Sequence, residues 1–104
     1  MKLAAVVLAA AGVFAAGAAQ ADALTDLMAK NGCAACHQVA TKLVGPPYVD
    51  VAKKYRGDAK APAMLMAKVK AGGTGVWGQI PMPPNPQVKD ADLKALITGI
   101  LALK

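Results

Sequence analysis

Cys33-Ala34-Ala35-Cys36-His37 is the stretch of sequence that decides the fold. It has the C-x-x-C-H attachment pattern of c-type haem, in which two thiols form thioether bonds to the porphyrin. The two intervening residues let a tight helical turn bring both sulfurs to one edge of the ring, and His37 is then aimed at the iron. The pattern predicts one covalently attached haem c (heme c), with Cys33 and Cys36 as thioether anchors and His37 as an axial iron ligand.

Three other interpretations of the two cysteines compete with this one: a disulfide, a thioredoxin-like redox pair and a zinc site. A thioredoxin-like pair should lie in a βαβ context, which the sequence does not show. Tetrahedral zinc needs a fourth ligand, yet the chain holds only two cysteines and one histidine. Haem attachment is the interpretation that suits the rest of the chain.

The first 21 residues have the features of a secretory signal peptide. Met1-Lys2 gives a positive start, an uncharged run covers 3–19, and Ala19-Gln20-Ala21 places small residues where a signal peptidase reads them. We expect residues 1–21 to be cleaved, with Ala21-Asp22-Ala23 as a second possible site, and 22–104 to form one monohaem domain. The alternative is that the run, nearly long enough to span a bilayer, stays as a membrane anchor.

The chain is short and basic, with 12 Lys and Arg against 6 Asp and Glu in 104 residues. Loss of Lys2 with the leader leaves a formal charge of +5 on the remaining 83 residues. A chain of this length buries only a small core and often needs a metal, disulfides or a cofactor for stability. Aromatic residues are few, so a group other than an aromatic side chain must fill the centre of the domain.

Apolar residues recur at helical rather than strand spacing, which predicts an all-α fold of about four helices wrapped around the haem. The helices are expected from Leu24 to just before Cys33, from Val49 to Tyr55, from near Pro62 to Gly72-Gly73, and from Asp90 to the C-terminus. Asp90 is expected to cap the last helix. That helix carries one apolar stripe, which needs a partner surface: Leu93, Leu96, Ile97, Ile100 and Leu101.

The stretch from Gly72 to Pro86 has no regular period and is rich in Gly and Pro, which is typical of a functional loop. Within it, three prolines fix the backbone around the long, flexible side chain of Met82. Because His37 is the only histidine, a soft second axial ligand is needed, and we predict Met82. A filled sixth position favours electron transfer over catalysis. The other methionines after the leader lie in predicted helices, where packing explains them: Met28, Met64 and Met66.

By these residues the sequence resembles the short bacterial class I cytochromes c of the cytochrome c-551 type, over essentially all of 22–104. The shared marks occur in the family's order and nearly at its spacing. They are Gly32-Cys33-x-x-Cys36-His37, Val44-Gly45-Pro46-x-Tyr48 and Gly75-Val76-Trp77-Gly78-x-Ile80-Pro81-Met82-Pro83-Pro84-Asn85.

The resemblance implies two contacts that orient the axial ligands. The carbonyl of Pro46 would accept the ring N–H of His37, which fixes the imidazole and raises its basicity. The side-chain amide of Asn85 would reach the sulfur of Met82.

The resemblance also implies contacts to the haem propionates. The indole N–H of Trp77 would bond one propionate, and Lys68 falls where the family often places a second partner. One departure concerns packing, because the family usually sets an aromatic residue of the first helix against one of the last. Here those places hold Met28 and Gly99, which predicts a closer helix crossing rather than a cavity.

The function implied by the resemblance is that of a soluble, monomeric electron carrier of the bacterial periplasm, not an enzyme. Its redox partners would include quinol–cytochrome c reductases, nitrite reductases, terminal oxidases, peroxidases and photosynthetic centres. Two alternatives remain open. One is a haem enzyme or a gas or redox sensor with an open or labile sixth site, and the other is a membrane-tethered haem module of an oxidoreductase.

The basic charge favours acidic protein partners. Nucleic acid binding is not expected, because the chain has no basic tract interleaved with aromatic residues. Five lysines are expected to ring an exposed haem edge and steer partners, unless they form an ordinary solvated surface: Lys30, Lys42, Lys53, Lys54 and Lys89.

Overall fold

The computed structural model describes residues 23–104, and within this part of the chain the fold is all-α, as predicted. The helices are α1 over 23–30, α2 over Tyr48–Tyr55, α3 over Ala61–Ala71 and α4 over Asp90–Leu101, with a 3₁₀ turn at Cys33–Ala35. No helix among the described residues is long and apolar enough to cross a membrane. The predicted signal peptide and its cleavage sites at Ala21 and Ala23 lie outside the described residues or at their edge.

The end of α1 delivers the chain to the two cysteines. The backbone N–H and the side-chain amide of Asn31 both donate to the carbonyl of Leu27, at 3.1 and 2.9 Å, which satisfies an orphan carbonyl of the last turn. Gly32 follows in the left-handed region with φ of 76°. The predicted stop at Asn31-Gly32 is therefore confirmed, and the turn that carries Cys33 begins at once.

The helices α2 and α3 begin one residue earlier than predicted. Tyr48 is already helical, because the preceding Pro47 is extended and serves as the N-cap. The turn before α3 is closed by Asp58, whose carboxylate accepts the N–H of Lys60 at 2.9 Å. Gly72 ends α3, with φ of 76°.

The prediction that Asp90 caps α4 is wrong. Lys89 is the N-cap, with extended φ and ψ of −66° and 144°, and Asp90 is the first helical residue, without a capping hydrogen bond from its side chain. The carboxylate instead pairs with the ammonium of Lys70 at 2.7 Å. It still lies in the first turn, where negative charge is favourable.

The core forms where α4 packs against both α2 and α3. Four residues of the predicted stripe are buried, Leu93, Leu96, Ile97 and Ile100, and Leu101 packs against them while partly exposed. Met28 of α1 joins this core. Gly99 faces Leu24, and a Cβ on Gly99 would lie 3.2 Å from the Leu24 Cδ1, so α1 and α4 approach closely, as expected.

Candidate functional site

The 3₁₀ turn holds Cys33, Cys36 and His37 together. Its hydrogen bonds run from the N–H groups of Cys36 and His37 to the carbonyl of Cys33, at 3.1 and 2.9 Å. Both cysteines are free and half-buried. A further bond, from Gly45 N–H to the Cys36 carbonyl at 2.7 Å, ties the turn to the segment that follows.

The imidazole of His37 is buried, at 8% exposure, and its orientation is fixed by Pro46. Nδ1 lies 2.9 Å from the Pro46 carbonyl oxygen, which can only accept, so Nδ1 carries the proton and donates it. The contact predicted between these two residues is confirmed. In the neutral imidazole, a proton on Nδ1 leaves Nε2 with a lone pair available to a metal ion.

Tyr48 is a site residue that the sequence reasoning missed. Its ring stacks on His37 with centroids 4.9 Å apart and an interplanar angle of 23°. Its side chain lies beside that of Cys33, and burial raises the pKa of both groups above their ordinary values. The signal was present, because Tyr48 stands in the Gly45-Pro46-x-Tyr48 motif of a chain with only two tyrosines.

Gly45 is a second residue whose role the sequence did not reveal. A Cβ at this position would lie 2.6 Å from Cε1 of His37 and 2.9 Å from Nδ1. Contacts this short are forbidden, so only glycine lets the chain pass the face of the imidazole at this distance. His37 is thus enclosed by Gly45, Pro46 and Tyr48.

Met82 is held through its backbone. It forms an antiparallel pair with Gly73: the Gly73 nitrogen lies 3.0 Å from the Met82 carbonyl oxygen, and the Met82 nitrogen lies 2.8 Å from the Gly73 carbonyl oxygen. The N–H of Asn85 donates to the carbonyl of Val69 at 2.9 Å. These bonds fasten the Pro-rich segment to the end of α3 and bring Met82, half-buried, to the same cavity as the two cysteines and His37.

The walls of this cavity are largely apolar, and they suit a flat, apolar macrocycle better than a zinc ion. Aliphatic residues of α3 and α4 line it together with the ligand candidates: Val69, Leu93, Leu96, Ile97 and Ile100. Over 23–104, no three His, Cys, Asp or Glu side chains come together to hold a metal ion on their own. Two thiols, one imidazole with a free Nε2 and one thioether fit haem c.

The remaining predicted site residues are placed less directly. Asn85 lines the cavity, but its Nδ2 donates to the Pro83 carbonyl at 2.9 Å, and contact with the Met82 sulfur stays a prediction.

Trp77 is 42% exposed, and the ammonium of Lys54 lies 5.7 Å from its ring centroid. Lys68 packs beside Gly73, with Cε 3.3 Å from where a Cβ would stand. The propionate contacts of Trp77 and Lys68 also stay predictions.

The other methionines lie away from the cavity lining, as the packing interpretation requires. Met28 is buried in the core, Met66 packs against it, and Met64 is 42% exposed on α3. Met82 is the methionine that shares the cavity with His37.

Comparison with known proteins agrees with this site. The cytochrome c family model matches residues 16–104. Cytochrome c-551 of Allochromatium vinosum is 60% identical over 84 residues, which cover 79% of this chain and 89% of that protein. Cytochrome c-551 of Pseudomonas aeruginosa is 45% identical and is matched over 93% of this chain and 92% of its own length.

Solved structures show the same likeness. The crystal structure of Nitrosomonas europaea cytochrome c-552 superposes with a TM-score of 0.74 at 57% identity, covering 77% of this chain and 99% of that one. The relatives are thus matched over most of their length, and the motifs of the site lie within the matched residues of the family model. The chain therefore belongs to the cytochrome c family, as a short class I member of the cytochrome c-551 type that binds haem c covalently.

Proposed function

We propose that this electron-carrying cytochrome works in the bacterial periplasm, passing single electrons between redox proteins through a haem ligated by His37 and Met82. The observation that carries the proposal is that both candidate ligands line one apolar cavity with the two cysteines. Bound haem supplies an iron that changes reversibly between the ferric and ferrous states.

His37 acts as a fixed nitrogen ligand. The Nδ1–H bond to the Pro46 carbonyl holds the imidazole in one tautomer and makes Nε2 a better donor. The stacked ring of Tyr48 keeps the imidazole from turning about its side-chain torsions. A ligand held in this way needs little rearrangement when the charge on the iron changes.

Met82 acts as the soft second ligand. A thioether raises the reduction potential relative to a second nitrogen ligand, and it keeps oxygen and small substrates from the iron. The two backbone bonds to Gly73 hold the residue at the cavity, and the aliphatic residues of α4 give the cavity an apolar wall. These properties support an electron carrier rather than an enzyme.

Export and partner choice complete the proposal. The leader over 1–21 would direct the chain across the inner membrane, where cleavage leaves the haem domain. Leu43 and Val44, which follow the cysteine turn, are about half exposed and would meet the apolar centre of a partner's surface. Lysines around them, such as Lys42, would attract acidic redox partners of the reductase, oxidase, nitrite reductase or peroxidase classes.

Optical spectra of the mature haem protein test this proposal. We expect a low-spin haem with a sulfur-to-iron charge-transfer band, and no binding of carbon monoxide to the reduced protein. In Met82→Ala the band should disappear and carbon monoxide should bind, whereas Met64→Ala, which removes an exposed methionine, should behave as the wild type. A high-spin wild type that binds carbon monoxide would instead indicate an open-site enzyme or sensor.

A further inference from the structure

The loop over 73–80 carries the single tryptophan of the chain, and its hydrogen bonds are largely internal. Gly75 N–H donates to the Gly78 carbonyl at 2.9 Å, and the hydroxyl of Thr74 reaches the carbonyls of Gly78 and Gln79 at 3.3 and 3.1 Å. These bonds shape the loop without attaching its tip to a helix. Trp77 lies at this tip and is 42% exposed.

Lys54, a residue of α2, reaches this tip with its side chain. Its ammonium lies 5.7 Å from the ring centroid of Trp77 and 5.8 Å from that of Tyr55. Both distances are within the range of a cation–π interaction. Tyr55 is the last residue of α2 and packs against the core, so one of the two rings belongs to the rigid body and the other to the loop.

We infer that Lys54 is a positioning residue. Its ammonium contacts the rings of both Trp77 and Tyr55 and so clamps the Trp77 loop to α2. The inference extends the proposed function and rests on the predicted contact between the indole N–H of Trp77 and a haem propionate. If the clamp is released, the tip of the loop opens more often and Trp77 leaves that position more often. Lys54 thus acts on the haem through Trp77, beyond its contribution to surface charge.

Lys53 provides a matched control. It stands next to Lys54 on the same helix, is also exposed and carries the same charge. The cation–π contacts belong to Lys54. Lys53→Met and Lys54→Met therefore remove the same charge from the same part of α2, but only the second removes the clamp.

Hydrogen exchange of the mature haem protein, followed by NMR, tests the clamp. The indole N–H of Trp77 gives a single signal. The Gly75 amide bonds the Gly78 carbonyl across the tip, so its exchange reports loss of the tip's structure independently of any propionate. We expect Lys54→Met to speed both exchanges by about two- to fivefold, the factor that an exposed cation–π contact contributes. Lys54→Arg should restore the wild-type rates, and Lys53→Met should leave them unchanged.

Each outcome bears on a separate claim. Equal rates in Lys54→Met and Lys53→Met would overturn the clamp, as would Lys54→Arg behaving like Lys54→Met. If the Gly75 amide responds to Lys54→Met while the indole N–H is unprotected in the wild type, the clamp is supported and the propionate contact fails. Failure of the axial ligation appears separately, in the optical spectrum of the wild type.

Discussion

The two candidate iron ligands are held in opposite ways. His37 is fixed through its side chain, since Pro46 binds its ring nitrogen, Tyr48 stacks on its face and Gly45 leaves no spare room. Met82 is fixed through its backbone, which forms two hydrogen bonds with the backbone of Gly73. The difference suits the chemistry, because a planar imidazole must be oriented whereas a flexible thioether must only be brought within reach.

The largest effect is expected on the Met82 side, from Gly72→Ala. Gly72 has φ of 76°, and a Cβ there would lie 2.6 Å from the Met82 carbonyl oxygen and 2.9 Å from the Pro84 nitrogen. Because these atoms are backbone, the whole segment must shift. We expect the free energy of unfolding to fall by about 3 kcal/mol and carbon monoxide to gain access to the reduced iron.

Gly57→Ala is the control for that experiment. Gly57 also has a positive φ, 83°, but no heavy atom lies within 4 Å of where its Cβ would stand. It should cost only the backbone strain, about 1 kcal/mol, and should leave carbon monoxide excluded. Denaturant unfolding of the Gly72→Ala and Gly57→Ala haem proteins measures the difference. Equal losses in the free energy of unfolding would show that the Met82 segment can move to accommodate the added methyl at no extra cost.

The parts of this site that could be predicted are those in which chemistry is local in sequence. The spacing of Cys33, Cys36 and His37 is enough to specify their chemistry, and Met82 follows from the shortage of other ligands and the prolines beside it. The helix boundaries were predicted to within a residue or two because glycine and proline mark most helix ends. The exception is the end of α4, which was expected at the C-terminus but lies at Leu101. The contact of His37 with Pro46 came from family resemblance rather than from spacing.

The parts that could not be predicted depend on distances between segments. Nothing in the sequence shows that Gly45 passes the imidazole face or that Tyr48 stacks on it. The pairing of Gly73 with Met82 also needs the chain to return to the end of α3. Asp90 was misassigned because a cap and a first helical residue differ by one position, and the ion pair with Lys70 is invisible in sequence.

A smaller effect is expected on the His37 side, from Gly45→Ala. The added methyl would meet ring atoms of His37 at 2.6 to 3.0 Å, so the imidazole or the turn must move. We expect a loss of about 2 kcal/mol, since a side chain yields more easily than backbone. Carbon monoxide should stay excluded, while the ligand-field spectrum should shift because the imidazole is reoriented.

The ranking of the two glycine variants tests the comparison directly. A larger loss of stability in Gly45→Ala than in Gly72→Ala would mean that the side-chain contacts of His37 are the stiffer of the two supports. Gly57→Ala is the control here as well, because Gly57 has φ of 83°, open space around its Cβ position and no part in the lining of the haem cavity. It should cost about 1 kcal/mol and leave the ligand-field spectrum unchanged.

The smallest effects on the free energy of unfolding are expected from two ion pairs. One joins α4 to the end of α3, on the Met82 side of the site, and the other joins α4 to α1, on the His37 side. Lys70, at the end of α3, lies 2.7 Å from Asp90, and Lys30, near the end of α1, lies 3.3 Å from Asp92. Both pairs are partly solvated, so Lys70→Met and Lys30→Met should each cost at most about 1 kcal/mol, and less at high salt.

Local exchange separates these two ion pairs better than global stability does. The Met82 amide is bonded to the Gly73 carbonyl just beyond the end of α3, so Lys70→Met should speed its exchange. Lys30→Met should leave that rate unchanged and instead speed exchange of the Cys36 amide in the 3₁₀ turn. If each variant speeded exchange of both amides equally, α4 would transmit the loss of one ion pair to the other side of the site. The support of His37 through its side chain and that of Met82 through its backbone would then not be independent.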